Sequence, residues 1–128
     1  MLSVFQPHNS NFAVNFVKEH ILKPEIEHEV KRVVKEIKQL CSTTSIYLFG
    51  SAADNESENI RDLDFLVAIP DTLDFKSYRK KILCQVTRTT WALDLIVVPE
   101  SFLKEKIALG GNFYAFAVQE GILLHEAA

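Results

Sequence analysis

The sequence predicts a single domain of mixed α/β (α+β) class, with a small mixed β-sheet and flanking helices. The chain has 128 residues, which fits one compact domain that can bury a core. Apolar residues make up 48% and charged residues 24%, the balance of a globular protein. Segments with helical periodicity alternate with short apolar segments that end at glycine or proline. Alternating helices and strands are typical of a mixed fold.

Composition argues against several classes of protein. No apolar run is long enough to span a bilayer, and residues 1–11 lack the features of a secretory signal, so we expect a cytoplasmic protein with no membrane attachment. A net charge of −3 argues against nucleic acid as a partner, because such binding needs a basic surface. Two cysteines and four scattered histidines lack metal-ligand spacing, which argues against zinc. Four basic residues near one another are interpreted as a solvated helix face: Arg79, Lys80, Lys81 and Arg88.

The first half of the chain predicts two helices and a strand. Residues 1–23 carry a weaker helical pattern, formed by Phe12, Phe16, Val17 and Ile21. Pro24 suits the first turn of the next helix, where its missing donor costs nothing, and apolar residues recur at helical spacing up to Leu40. Residues 45–49 are typical of a buried strand that ends at Gly50, and the polar residues 54–61 of a loop.

The second half predicts three strands and three helices. Pro70 and Pro99 stop the first two strands, and Asp74 is placed to cap the helix between them. The pair Gly110 and Gly111 separates the last two helices, and Gly121 is expected to cap the second of these. In chain order the six elements are residues 62–69, 75–86, 91–98, 101–109, 112–120 and 122–125.

Three aspartates lie on two of the predicted strands. Asp62 and Asp64 are two residues apart, so both carboxylates leave one face of the sheet. Asp94 interrupts an apolar strand, where an ionised carboxylate is costly unless it is paired or bound to metal. If these strands are neighbours, the three anions converge, and a divalent ion such as Mg²⁺, with Mn²⁺ as the alternative, relieves their repulsion. Pairing of Asp94 with Arg61 is the structural alternative. The other face of the first strand predicts a core, because it is apolar throughout: Leu63, Phe65, Val67 and Ile69.

A phosphate site is predicted where residues 45–49 end. Gly50 allows a tight turn and close approach of a ligand to the backbone. If a short helix begins at Ser51, its amides favour an anion, and the serine hydroxyl adds a donor to a phosphate oxygen. Either feature alone is common in ordinary turns, and an Asp-x-Asp pair is common at strand ends. Together, and in this order, they indicate a site for a metal-chelated nucleoside triphosphate.

The pattern of Gly50-Ser51, ten further residues, Asp62-Leu63-Asp64 and a later Asp94 resembles the DNA-polymerase-β-like nucleotidyltransferase superfamily, and within it the minimal nucleotidyltransferase branch. The resemblance covers about residues 25–125. It implies the nucleotidyltransferase fold, with the three aspartates as catalytic and metal-binding residues and with Gly50 and Ser51 holding the phosphates of the substrate ATP.

The chain departs from the family pattern at two places. Members often have arginines where Ala52 and Asp54 stand, and often have serine where Arg61 stands. Loss of the turn arginines weakens the expected attraction for triphosphate, and Arg61 is expected to restore a positive charge beside the nucleotide.

The resemblance implies transfer of a nucleoside monophosphate, AMP from ATP, to an acceptor hydroxyl. Minimal nucleotidyltransferases often act with a separately encoded helical partner of the HEPN type, and some are antitoxins that modify that toxin, so such a partner is our first expectation. Two alternatives stay open: transfer to a small molecule such as an aminoglycoside, and a nucleotide-binding or blocking antitoxin with little turnover. The sequence leaves the acceptor, the preferred base and a homo-oligomeric state undecided.

Overall fold

The computed structural model describes residues 3–4, 21–54, 62–88 and 91–126. Helices cover both faces of a four-stranded mixed sheet, which confirms the predicted α+β class. The elements in chain order are β1 (Ser3–Val4), β2 (Ile21–Leu22), α1 (Pro24–Leu40), β3 (Ser45–Phe49), a 3₁₀ helix (Gly50–Ala53), β4 (Asp62–Ile69), α2 (Phe75–Gln85), β5 (Ala92–Pro99), α3 (Glu100–Leu109), α4 (Phe113–Glu120) and β6 (Ile122–His125).

The strands of the main sheet are arranged in the order β5-β4-β3-β6. Strand β4 lies parallel to β5 and antiparallel to β3, and β3 also pairs antiparallel with β6. Parallel neighbours need a crossover connection, and α2 supplies it between β4 and β5. Strands β1 and β2 form a separate antiparallel pair. The adjacency of β4 and β5 is the condition on which convergence of the three aspartates depends.

Helices α1 and α2 pack on one face of the sheet and enclose the larger part of the core. Pro24 occupies the first turn of α1 as predicted, and the apolar stripe of α1 is buried along its length. The predicted core-facing residues of β4 all enter this core, and each is at most 1% exposed: Leu63, Phe65, Val67 and Ile69. Burying one such side chain contributes roughly 1.5–3 kcal/mol, so β4 is fixed by its apolar face.

Among the described residues, helices α3 and α4 cover the opposite face except at one end. Leu66 and Ala68 of β4 are buried there, together with residues from β5 and both helices. Asp62 and Asp64 belong to the same face of β4, at its leading end, where Asp62 is exposed and Asp64 half-buried. Among the described residues, no helix combines the length and apolar character needed to cross a bilayer.

Two glycines and an asparagine form the junction between α3 and α4. Gly110 and Gly111 have φ of 69° and 63°, in the region that L side chains disfavour, which explains why the helix ends there. The Asn112 side chain accepts a hydrogen bond from the backbone of Ala115 at 3.0 Å and so caps α4. The predicted break is confirmed, with Asn112 as the cap and not the first helical residue.

Gly121 is the C-cap of α4 as predicted, and it also has a role in packing. Its φ is −87°, so the position is extended and not left-handed. A Cβ atom at Gly121 would collide with the carbonyl of Ala117 and lie 2.6 Å from the carbonyl oxygen of Leu48. Glycine therefore permits close packing of α4 against β3, which brings α4 beside the end of β3.

Element ends differ from the predictions by one residue at several places. Strand β5 starts after Trp91 and includes Pro99, and α3 begins directly at Glu100. Proline is tolerated in β5 because, among the described residues, β5 is an edge strand of the four-stranded sheet. Asp74 precedes α2 as predicted, but its side chain makes no capping hydrogen bond.

The predicted helical pattern at the N-terminus falls mainly on residues outside the described part of the chain. Its last member, Ile21, lies in β2 and pairs with Val4, so the described end of this segment is extended. The predicted loop at residues 54–61 is described only at Asp54.

Candidate functional site

The three predicted aspartates meet at one end of the sheet. In the parallel pairing of β4 with β5, Asp64 is the direct partner of Asp94, and Asp62 is the partner of Ala92. Paired residues on neighbouring strands point to the same face, with the strands about 4.8 Å apart. Asp62, two residues before Asp64, shares that face as well. The structure therefore places all three on one face at the leading ends of β4 and β5, here named the carboxylate edge.

The electrostatics of the carboxylate edge are unfavourable for three bare anions. Burial raises the pKa of Asp64 above its usual range, and the neighbouring charges of Asp94 and Asp62 raise it further. Asp62 and Asp94 are exposed to solvent. Within the described residues, no salt bridge reaches any of the three. A bound cation would remove this repulsion.

The donor set fits a hard divalent cation in its chemistry. All three side chains offer carboxylate oxygens, and Mg²⁺ commonly binds through one or two carboxylates together with phosphate oxygens and water. In the part of the chain that the structure describes, no three acidic, histidine or cysteine side chains are placed so that they could hold a metal ion together. The carboxylate edge thus supplies suitable ligands that share a face without forming a finished coordination shell.

The backbone turn after β3 lies directly against Asp64. Phe49, the last residue of β3, pairs with Asp64 across the sheet, so Gly50 follows at the carboxylate edge. Gly50 has φ of +75°, and a Cβ atom there would collide with Oδ2 of Asp64 and lie 3.4 Å from its Cγ. Glycine at this position is therefore required twice, by the backbone conformation and by the carboxylate beside it.

Residues 50–53 form a single 3₁₀ turn, here named the Gly50 turn. The backbone amide of Asp54 donates to the carbonyl of Ser51 at 3.1 Å and closes the turn. Ala52 and Ala53 are 3% and 6% exposed and belong to the core under the sheet. The side chain at position 52 therefore points into packed apolar residues, where alanine fits and an ionised arginine would need a polar partner.

Of the two other residues predicted to bind the nucleotide, the structure describes Ser51 but not Arg61. Ser51 is half-buried in the Gly50 turn, one residue from the backbone that faces Asp64, and its role as a phosphate donor stays a prediction. Arg61 lies outside the described residues, so both its expected charge near the nucleotide and its alternative pairing with Asp94 also stay predictions.

Sequence reasoning missed two side chains near the carboxylate edge. Arg88 was interpreted as part of a solvated face, but its Nη1 donates to the carbonyl oxygen of Leu93 at 2.6 Å. This hydrogen bond places the guanidinium one residue from Asp94. The ring of Phe113 packs against the ring of Phe49, with centroids 5.4 Å apart. No spacing rule links these residues, because Phe113 comes from a helix far along the chain. The sequence showed only an aromatic residue near the start of a predicted helix.

A cavity of about 540 Å³ lies at the opposite end of the sheet from the carboxylate edge. Ser45 and Ala68, which pair at that end, both line it. Glu100 and Lys104 in its wall form an ion pair at 2.7 Å. The cavity and the predicted site are therefore separate features, and the chemistry expected of the three aspartates belongs to the carboxylate edge.

Comparisons with known proteins agree with this geometry at the level of the family. Neither the curated proteins nor the solved structures gave a match. The family model described as a nucleotidyltransferase domain matches residues 30–124, a range that contains the Gly50 turn and the whole carboxylate edge. The chain therefore belongs to the nucleotidyltransferase domain family.

Proposed function

We propose that this protein transfers a nucleoside monophosphate, AMP from ATP, to an acceptor hydroxyl at the carboxylate edge. The observation that carries the proposal is the in-register pairing of Asp64 with Asp94, directly beside the glycine backbone of the Gly50 turn. Membership of the nucleotidyltransferase domain family supports the reaction class, and the geometry supports the assignment of roles to residues.

The proposed roles follow from position and charge. Asp62, Asp64 and Asp94 would hold Mg²⁺, or Mn²⁺, which supplies neutralising charge for an in-line displacement when bound. Gly50 lets the turn lie directly against Asp64, so phosphates at the turn would lie beside the carboxylates, and the Ser51 hydroxyl donates to one of their oxygens. The triphosphate would thus lie between the turn and the carboxylates. The bound ion would offset the repulsion between its negative charge and that of the aspartates.

The chemical step is an exchange of one phosphorus–oxygen bond for another. The acceptor oxygen forms a bond to the α-phosphorus, the bond from that phosphorus to the bridging oxygen breaks, and pyrophosphate leaves. Asp94 is exposed at the edge, so its carboxylate can take the proton that the acceptor hydroxyl loses. Asp64 is half-buried beside the turn, which suits a residue that would hold the metal ion in a fixed position.

For the acceptor, we propose a helical protein partner of the HEPN type, in a toxin–antitoxin pair, on the resemblance to the minimal branch. A low-turnover, nucleotide-binding antitoxin is the second candidate. It is favoured by Ala52 of the Gly50 turn, which is buried in the core, and by the acidic residue Asp54, which directly follows the turn. Transfer to a small molecule such as an aminoglycoside is the third.

The test is incubation with ATP labelled at the α-phosphate, Mg²⁺ and the purified product of the neighbouring gene. We expect the partner to gain one AMP by mass spectrometry, and the Asp94→Asn variant, with matched folding and nucleotide binding, to leave it unmodified. Binding of Mg²⁺-ATP without transfer to protein or small-molecule acceptors would favour the low-turnover candidate. A wild-type protein that binds no nucleotide would contradict all three.

A further inference from the structure

We propose that Phe113 is the platform on which the base of the bound nucleotide stacks. This inference rests on the proposed function, because it assumes that the triphosphate lies between the Gly50 turn and the carboxylate edge. It adds a binding residue on α4, an element that carries none of the residues expected from the sequence. It also assigns the ligand class more narrowly, as a nucleotide recognised partly through the flat face of its base.

The position of Phe113 follows from a short chain of contacts. Phe49 pairs with Asp64 across β3 and β4, and directly paired residues on antiparallel strands share a face, so the Phe49 ring lies on the same face as the carboxylates. The Phe113 ring meets the Phe49 ring edge to face, at 5.4 Å and an interplanar angle of 83°. Phe113 is therefore one aromatic ring and one strand spacing from Asp64, on the order of 10 Å.

The Phe113 ring is held in place and yet open to solvent. The Asn112 cap fixes the start of α4, and Tyr114 packs edge to face against Phe113 at 5.2 Å. Tyr114 in turn packs against Phe102 of α3 at 5.0 Å, so the cluster continues into the second helix. Phe113 nevertheless stays 50% exposed. A fixed, half-exposed aromatic ring loses little conformational entropy on binding a flat ligand.

The distance of Phe113 from the carboxylate edge matches the distance between the phosphates and the base of a nucleotide. With the phosphates at the Gly50 turn, the sugar and base can extend along the same face, and a span on the order of 10 Å is within the reach of a nucleoside triphosphate. Base stacking on an aromatic side chain is sequence-tolerant, because every base has a π face. Phe116, on the same helix, is 55% exposed but makes no ring contact with Phe49 among the described residues, so it serves as the matched control.

The experiment compares two Mg²⁺-loaded ligands, ATP and inorganic tripolyphosphate, by isothermal titration with the full chain. Aromatic-to-alanine changes at stacking sites weaken binding by about 5- to 150-fold, so we expect Phe113→Leu to raise the Kd for ATP at least about fivefold. The Kd for tripolyphosphate, which has no base, should not change. Phe113→Tyr should restore ATP binding, and Phe116→Leu should bind both ligands like the wild type. Melting curves check that each variant is folded.

The outcomes separate this inference from the function on which it rests. If wild type binds both ligands and Phe113→Leu binds ATP within twofold of wild type, the inference is overturned and the proposed function stands. If Phe113→Leu loses affinity for both ligands equally, Phe113 acts by packing against Phe49 next to the Gly50 turn and does not bind the base. This result also overturns the inference. If wild type binds neither ligand, the proposed function and this inference fall together.

Discussion

Replacing Gly50 by alanine tests whether the Gly50 turn and the Asp64 carboxylate form one site. Alanine at φ of +75° costs about 1–2 kcal/mol, the penalty of the left-handed region. The new Cβ also meets Oδ2 of Asp64, and moving that side chain off its rotamer adds about 0.5–1.5 kcal/mol. Gly111→Ala is the control, because its φ is +63° but a Cβ there meets nothing within 4 Å.

The expected shifts can be measured by thermal melting. With an unfolding entropy of about 2.1 cal/mol/K per residue, 1 kcal/mol lowers the Tm of a domain of this size by about 4 °C. Gly50→Ala should then lower Tm by about 6–14 °C and Gly111→Ala by about 4–8 °C. Only Gly50→Ala should also lose Mg²⁺-ATP binding.

A double-mutant cycle identifies the cause. Asp64→Ala removes the carboxylate that the new Cβ would strike, so part of the Gly50→Ala penalty should disappear in the double variant, by about 0.5–1.5 kcal/mol. The same cycle with Gly111→Ala should be additive. An additive cycle at Gly50, or Mg²⁺-ATP affinity equal to wild type in Gly50→Ala, would refute the view that the turn and Asp64 act together.

Three other substitutions probe individual roles. Asp64 has a raised pKa, and a carboxyl group of this kind stabilises the fold while it is protonated and loses that contribution as pH rises through its folded-state pKa. Without metal, Asp64→Asn should therefore have a higher Tm than wild type at neutral pH and the same Tm at about pH 3. A lower Tm of the variant at neutral pH would contradict repulsion among the three aspartates. Ser51→Ala should weaken Mg²⁺-ATP binding by about 1.5–3 kcal/mol in isothermal titration, whereas unchanged affinity would remove Ser51 from the site. Asp94→Asn should reduce transfer about 100-fold or more while the metal-free Tm holds or rises. A clear fall in Tm with transfer retained would instead identify Asp94 as the structural partner of Arg61.

The sequence was sufficient to predict features that depend on local periodicity and on residues with few conformational options. The alternation along β4 separates the carboxylate face from the core face, and burial of Leu63 and Phe65 on the opposite side confirms it. Pro24 marks the start of a helix because proline fixes its own φ angle. Gly110 and Gly111 mark the end of a helix because glycine readily adopts a positive φ angle.

Features that depend on contacts between distant segments could not be predicted. The register that pairs Asp64 with Asp94 is set by packing of two apolar strands, so sequence reasoning could state it only as a condition. Gly121 was predicted as the cap of α4, but its close contact with Leu48, a residue far away in sequence, could not be predicted. The same holds for the ring contact that brings Phe113 beside Phe49.

The most direct test of the central claim is a melting experiment with Mg²⁺ and ATP on wild type and on the Asp62→Asn, Asp64→Asn double variant. Ligand at a hundredfold excess over Kd stabilises the native state by about 2.7 kcal/mol, which corresponds to about 10 °C here. We expect wild type to show this rise and the double variant, which is folded in buffer alone, to lack it. An equal rise in both proteins would contradict the assignment of the carboxylate edge as the site of the metal-bound triphosphate.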